Sequence, residues 1–217
     1  MPAAGMLLAL ACGVKPIAFI LAAFWFIARP RLAWVGPFIL TCLLLGSVLL
    51  IQDGYVGFFK TLRTYTQEWE ANGSFFHLVR TQMKPRWPLG ELFVQPWEAA
   101  RIWGGQIMAL LAISLIWRRT DWLTAFYWLV LTALLVSPIV YPWYLLWLLA
   151  IVPLVPNGRG LTGLIFAATS VLCYRLWHTD WIMPWPIFFA EYVPVYAALI
   201  YEVKTRMTKP EFRIKSE

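Results

Sequence analysis

Seven apolar runs, separated by five short junctions and one long segment, limit what this chain can fold into more than any other feature of it. They lie near residues 5–28, 33–51, 102–117, 121–137, 142–156, 160–177 and 185–203. A helix that crosses a bilayer needs about 20 mainly apolar residues, and these runs approach or reach that length. The runs therefore predict an all-α fold: a polytopic transmembrane helix bundle of about seven spans, forming a single membrane domain over residues 1–217.

The composition excludes two other classes of protein. Hydrophobic residues make up 61% of the chain and charged residues 13%, whereas a soluble domain is about half apolar and a quarter charged. Disorder needs the opposite combination of low hydrophobicity and high charge. The net charge of +7 does not indicate a nucleic-acid partner, because the basic residues lie between the apolar runs, where they orient a protein in the lipid bilayer.

The basic residues also predict an orientation. They fall at every second junction, at Arg29, Arg31, Arg118, Arg119 and Arg159, and in the tail 204–217. The positive-inside rule then gives a cytoplasmic tail and C-terminus in the plasma membrane, with segment 52–101 outside. Seven spans would place Met1 outside as well, so we expect the chain to be the second half of a longer protein.

The outer segment 52–101 carries a helical pattern of aromatic and aliphatic residues. Phe58, Leu62, Tyr65 and Trp69 recur every three or four residues and share one face of a helix. A helix with such a face and with basic residues elsewhere lies in the membrane interface. The remainder, from Lys84 to Trp97, is rich in proline and tryptophan and predicts an ordered loop near the headgroups. The alternative is a helix that only covers the bundle.

Lys15 is a cation inside an apolar run, followed by a proline. A buried cation in a membrane is costly and is usually functional. Three roles are open: binding the phosphate of a ligand, forming an intramembrane ion pair, for which Glu191 offers a carboxylate, or extending to the interface.

The run from Ser137 to Leu149, Ser-Pro-Ile-Val-Tyr-Pro-Trp-Tyr-Leu-Leu-Trp-Leu-Leu, interrupts two apolar runs with two prolines. It predicts a tight outer turn or a re-entrant dip that exposes Tyr141, Trp143 and Tyr144 towards a cleft. The alternative is an aromatic anchor at the interface. The sequence contains no Gly-rich phosphate loop and no metal-ligand spacing, so it predicts no cofactor or metal site, and the need for a divalent metal stays open.

Ser137-Pro-x-x-Tyr-Pro-Trp-Tyr144 resembles the Pro-x-x-x-Pro-Trp-Tyr signature of polytopic glycosyltransferases with the GT-C superfold. The likeness is to polyprenol-phosphate-mannose-dependent mannosyltransferases and to glycosyltransferase family 87. Two further pieces agree in order, Lys15-Pro16 and Tyr65-x-x-x-Trp69-x-x-Asn72-x-Ser74. The likeness runs through about residues 5–156.

The resemblance implies an enzyme that transfers a hexose, mannose in the first place, from a polyprenyl-phosphate sugar to a glycan or lipid on the outer membrane face. Lys15 would neutralise the donor phosphate. Outer-cleft residues would come from two segments: Tyr65, Trp69 and Asn72, and Tyr141, Trp143 and Tyr144.

One departure from the family pattern concerns the catalytic base. These enzymes keep an acidic residue in the first outer loop, whereas this chain has no Asp or Glu before Asp53. We therefore expect a partial or split enzyme that works with a separate N-terminal half subunit. If the chain is active alone, Asp53, Glu68 or Glu70 must serve as the base. The alternative is a non-catalytic membrane scaffold or a component of a lipid-linked-sugar translocator.

Overall fold

The structure, a computed structural model, describes residues 2–15, 17–28, 32–67, 70–83, 96–156, 160–179 and 183–208. These residues form α-helices and short 3₁₀ helices and contain no β-strand. The α-helices are α1 (Pro2–Val14), α2 (Ile17–Ala28), α3 (Leu32–Ser47), α4 (Gly54–Gln67), α5 (Ser74–Met83), α6 (Pro96–Trp117), α7 (Trp122–Val136), α8 (Leu145–Ile151), α9 (Leu161–Thr169) and α10 (Trp185–Thr208). The predicted all-α membrane helix bundle is confirmed.

The chain divides into two compact units. One comprises Met1–Glu70 and Gly105–Leu129, and the other comprises Ala71–Gly104 and Val130–Glu217.

In the first unit, α1 packs against α3. Gly5 makes this packing close, because a Cβ atom there would lie 2.3 Å from the Trp34 carbonyl oxygen. Buried Cys12 and the small side chains of α2 form an apolar cluster, against which Phe38 of α3 packs. Small residues let helix backbones approach in a membrane, where the hydrophobic effect contributes little to helix association.

In the second unit, α10 packs along α9, and α9 packs against α8. Glu202 of α10 ties the start of α9 in place. Its carboxylate accepts hydrogen bonds from the backbone N–H groups of Gly160 (2.7 Å) and Thr162 (3.1 Å), and from the Thr162 hydroxyl. The first N–H groups of a helix have no partner within the helix. A carboxylate suits them because the N-terminus also carries positive dipole charge.

Three helical stretches of the described chain are long and apolar enough to cross a membrane, Ala33–Ile51, Glu98–Trp117 and Trp185–Thr205. The other predicted runs form shorter apolar helices. The first run is divided into α1, which ends at Val14, and α2, which begins at Ile17. The fifth and sixth runs each combine an α-helix with 3₁₀ turns at Pro142–Tyr144, Val152–Leu154 and Ser170–His178. Proline explains the first two of these turns, because it removes a backbone donor and crowds the preceding turn. The number of crossings and their orientation stay predictions.

Residues 52–101, the predicted outer segment, contain α4 and α5. The predicted outer helix corresponds to α4, on which Phe58 and Leu62 are exposed, as a helix lying in the interface requires. The predicted loop falls mostly on residues 84–95, which lie outside the described residues.

Candidate functional site

The short segment that precedes α5, residues 71–74, docks on the turn between α7 and α8. The Ala71 N–H donates to the Pro138 carbonyl at 3.0 Å, and the Val140 N–H donates to the Ala71 carbonyl at 2.8 Å. The turn is itself stabilised by Ser137, whose hydroxyl donates to the Ile139 carbonyl at 2.7 Å. Two stretches that are distant in the sequence are thereby joined by backbone hydrogen bonds inside one compact unit.

Two residues of the 71–74 segment fit this contact closely. Asn72 has a φ of 58°, in the left-handed region that asparagine tolerates better than most residues. Gly73 lies directly against the turn, because a Cβ atom there would be 2.5 Å from the Ser137 carbonyl oxygen and 2.9 Å from the Pro138 carbonyl carbon. Only glycine leaves room for this approach.

Helix α10 holds the segment from its other side. The Asn72 amide Nδ2 donates to Glu191 Oε1 at 2.8 Å and to the Val140 carbonyl at 3.2 Å. The Tyr192 hydroxyl donates to the Asn72 carbonyl. The Ser74 hydroxyl lies 3.0 Å from the Leu135 carbonyl, to which it donates, and 2.9 Å from the Tyr196 hydroxyl.

The Asn72–Glu191 pair is fully enclosed. Asn72 is 4% exposed and Glu191 is 0% exposed. Two buried atoms of the pair, Asn72 Oδ1 and Glu191 Oε2, have no hydrogen-bond partner among the described residues. A buried acceptor without a donor is costly, so this position calls for one further donor, such as a water molecule, a proton on the carboxyl group or a ligand hydroxyl.

An aromatic cluster follows the turn. The rings of Tyr141 and Trp143 stack with centroids 4.5 Å apart and an interplanar angle of 15°, and those of Tyr144 and Trp147 stack at 5.4 Å and 9°. Trp143 is exposed, whereas Tyr141 and Tyr144 are half-buried. Burial raises the pKa of the Tyr141 phenol, with Tyr144 and Cys173 adding to the effect. The cluster offers flat apolar faces edged with hydroxyl groups.

The other predicted site residues are placed as follows. Lys15 is half-buried in the break between α1 and α2, where its backbone N–H donates to the Ala11 carbonyl at 2.9 Å. Asp53 is exposed and has a φ of 56°. Lys15 and Asp53 belong to the first unit. Glu70 is half-buried. The Tyr65 side chain, Glu68 and Trp69 lie outside the described residues.

The sequence prediction did not place Glu191, Tyr192 and Tyr196 in the site. An acidic residue inside an apolar run was the one available signal, and Lys15 was the partner considered for it. Among the described residues, Glu191 has Asn72 as its hydrogen-bond partner. Within the same part of the chain, no three His, Cys, Asp or Glu side chains gather into a group that could hold a metal ion.

A comparison with protein-family models matches residues 1–138 to glycosyltransferase family 87. The match covers more than half of the chain. The chain belongs to glycosyltransferase family 87. No curated protein and no solved structure matches it.

Membership of glycosyltransferase family 87 confirms the resemblance seen in the sequence and gives the chain a glycosyltransferase function within a membrane protein. The family match includes Lys15 and the 71–74 segment and ends at Pro138. The aromatic cluster and Glu191 therefore lie beyond the matched residues. The structure joins Glu191 to Asn72 and joins the turn before the aromatic cluster to Ala71.

Proposed function

We propose that this chain contributes the donor-facing part of a glycosyltransferase that transfers a hexose from a polyprenyl-phosphate donor to a glycan or lipid on the outer face of the plasma membrane. Mannose is the sugar we propose first. The observation that carries the proposal is the docking of the 71–74 segment on the turn that presents Tyr141 and Trp143. The docked turn leads directly into the stacked rings, which form a flat aromatic surface on this membrane glycosyltransferase.

Each part of this surface has a role that its chemistry suits. The exposed ring of Trp143 can stack on a sugar ring or an isoprenyl chain, since its face is flat and apolar. The Asn72–Glu191 pair has a positioning role, because its hydrogen bonds hold the turn in place. In the first unit, Lys15 would neutralise the donor phosphate, as a half-buried cation in an apolar run suits an anionic ligand.

The base that activates the acceptor hydroxyl must be a carboxylate or a similar group within hydrogen-bond reach. Asp53, Glu68 and Glu70 remain the proposed candidates on this chain, and a carboxylate from a separate subunit is the other source. The two sources are distinguished by assaying the chain alone and together with any membrane protein encoded immediately upstream of it.

The test is sugar transfer from radiolabelled polyprenyl-phosphate mannose in reconstituted vesicles. We expect Trp143→Ala to raise the KM for the donor about tenfold with a smaller change in kcat, because the ring binds the donor both before and during transfer. Lys15→Ala should lower the rate of sugar transfer more than Trp143→Ala does. Trp117→Ala is the matched control, because Trp117 is 86% exposed at the end of α6.

Unchanged transfer in both Trp143→Ala and Lys15→Ala would overturn the proposed roles. Vesicles that move the lipid-linked sugar across the membrane but transfer none of it, with or without the upstream protein, would instead support a translocator.

A further inference from the structure

The first unit contains a second site, to which the proposed function gives no role. It is a cavity of about 410 Å³ between the end of α2, the end of α6 and the start of α7. Most of its wall is apolar or aromatic, with contributions from Phe24, Trp25, Leu115, Trp122 and Phe126, and Arg119 is its cationic residue. Cavities that hold small molecules measure about 300–1,000 Å³ and have this mixture of an apolar lining and a few polar groups.

Arg119 occupies an unusual backbone position. Helix α6 ends in a motif in which the Thr120 N–H donates to the Leu115 carbonyl and the Arg119 N–H donates to the Ile116 carbonyl, each at 3.0 Å. The residue at the corner of this motif is left-handed and is usually glycine. Arg119 has a φ of 48° there. A cation therefore lies at the cavity in a backbone position that glycine would adopt with less strain.

Trp25 contributes an aromatic ring to the wall of the same cavity. Its ring lies 5.9 Å from that of Trp122 and 5.7 Å from that of Phe126, measured between centroids. A ligand that brings an anionic oxygen would pair with the guanidinium of Arg119, and these rings offer it an apolar surface.

The position along the chain indicates where such an anion would come from. Arg119 follows the candidate span Glu98–Trp117 by two residues, which is the level of the lipid headgroups at the end of a spanning helix. Tryptophan rings are enriched at that level. A soluble anion alone would leave the aromatic wall uncovered, whereas a phospholipid brings a phosphate and an apolar chain together.

We propose that this cavity binds an anionic glycerophospholipid of the surrounding bilayer. Arg119 binds the phosphate oxygens, and the aromatic rings of α2 and α7 cover the glycerol and the adjoining part of an acyl chain.

Native mass spectrometry of the detergent-solubilised chain tests the proposal, with phosphatidylglycerol and phosphatidylcholine titrated separately. We expect the wild type to bind its first phosphatidylglycerol more tightly than its first phosphatidylcholine. Arg119→Gly should weaken the first phosphatidylglycerol about tenfold, since a charge-assisted hydrogen bond is lost. Trp122→Ala removes a half-exposed ring from the cavity wall and should weaken the binding of the first phosphatidylglycerol several-fold. Millimolar inorganic phosphate should not displace the lipid.

Arg118→Ala is the matched control, because Arg118 carries the same charge and is exposed like Arg119 but does not line the cavity. Thermal unfolding in lipid-free detergent provides a second readout, in which Arg119→Gly should be at least as stable as the wild type, since glycine suits the left-handed position. Equal losses in Arg119→Gly and Arg118→Ala, wild-type binding by Trp122→Ala, equal affinity for the two lipids, or displacement by inorganic phosphate would each overturn the proposal.

Discussion

The Asn72 carboxamide donates a 2.8 Å hydrogen bond to the Glu191 carboxyl group across 119 residues of sequence. Both side chains are buried, and the same carboxamide also donates to the Val140 carbonyl. The pair thus connects the 71–74 segment, the turn before the aromatic cluster, and α10. Because no competing solvent reaches these groups, the bond contributes more to the local structure than an exposed one would.

Replacing Asn72 tests this connection. Asn72→Asp removes the donor and puts a second carboxyl group against Glu191, so we expect it to lower the free energy of unfolding by about 3 kcal/mol or more. Glu191→Gln retains an acceptor oxygen for the Asn72 amide and should cost about 1 kcal/mol. Thermal unfolding in detergent, followed by size-exclusion chromatography, measures both. Equal stability of Asn72→Asp and Glu191→Gln would contradict the pairing.

Gly73→Ala should disrupt the contact between the 71–74 segment and the turn. The new methyl group would meet the Ser137 carbonyl oxygen at 2.5 Å, and backbone atoms cannot move away as a flexible side chain can. We expect a loss of about 2 kcal/mol in the same unfolding assay. Gly105→Ala is the control, since nothing lies within 4 Å of a Cβ atom there, and it should be neutral or slightly stabilising. Equal effects of the two substitutions would count against the close approach.

The buried imidazole of His77 should make the folded protein less stable in acid. Its ring lies 5.0 Å from that of Trp185 and 5.2 Å from that of Phe188, and burial lowers the pKa of the imidazole below its ordinary value. The unfolded chain therefore takes up a proton at a higher pH than the folded chain. Stability should be retained above about pH 6.5 and should fall as the pH drops through the lower pKa of the folded state.

The measurement is the melting temperature between pH 8 and pH 5. His77→Phe should flatten its pH dependence, because the ring contacts remain and the proton site is gone. His178→Gln should leave the dependence in place, since His178 is exposed. If His77→Phe melts with the wild-type pH profile, another group is responsible.

Glu202 supports the start of α9 with three accepted hydrogen bonds. Glu202→Gln weakens these bonds and turns an amide group towards backbone donors, so we expect it to cost about 1–3 kcal/mol. Thr162→Val should cost about 1 kcal/mol, and the double variant less than the sum, because the two residues share a bond. Asp53→Asn is the control at an exposed site. If the costs of the two single variants simply add in the double variant, the bond between Glu202 and Thr162 does not contribute to stability.

Helix-forming segments were predictable from the sequence because the signals are local. The proline at position 16 predicts the break between α1 and α2, and the spacing of Phe58 and Leu62 predicts α4. The division of longer apolar runs into α-helix and 3₁₀ turns, as around α8, was harder to predict from the sequence. An all-apolar run shows no periodicity that would reveal where the backbone tightens.

The candidate site was predictable only in part. Asn72 and Trp143 were both identified from the motif order, but their connection depends on which helix faces are adjacent, and a single sequence does not contain that information. Glu191 was visible as an acid in an apolar run, without its partner. Arg119 was interpreted as an orientation signal, since its left-handed backbone and the neighbouring cavity depend on the folded arrangement of three helices.

The distance in sequence between Asn72 and Glu191 also sets an order for biosynthesis. At about 5–20 residues per second, the ribosome needs on the order of 10 s to add the 119 residues that separate them. During that interval the Asn72 amide must be satisfied by water, a chaperone or the insertion machinery. The candidate site of the nascent protein therefore matures only after α10 has been synthesised.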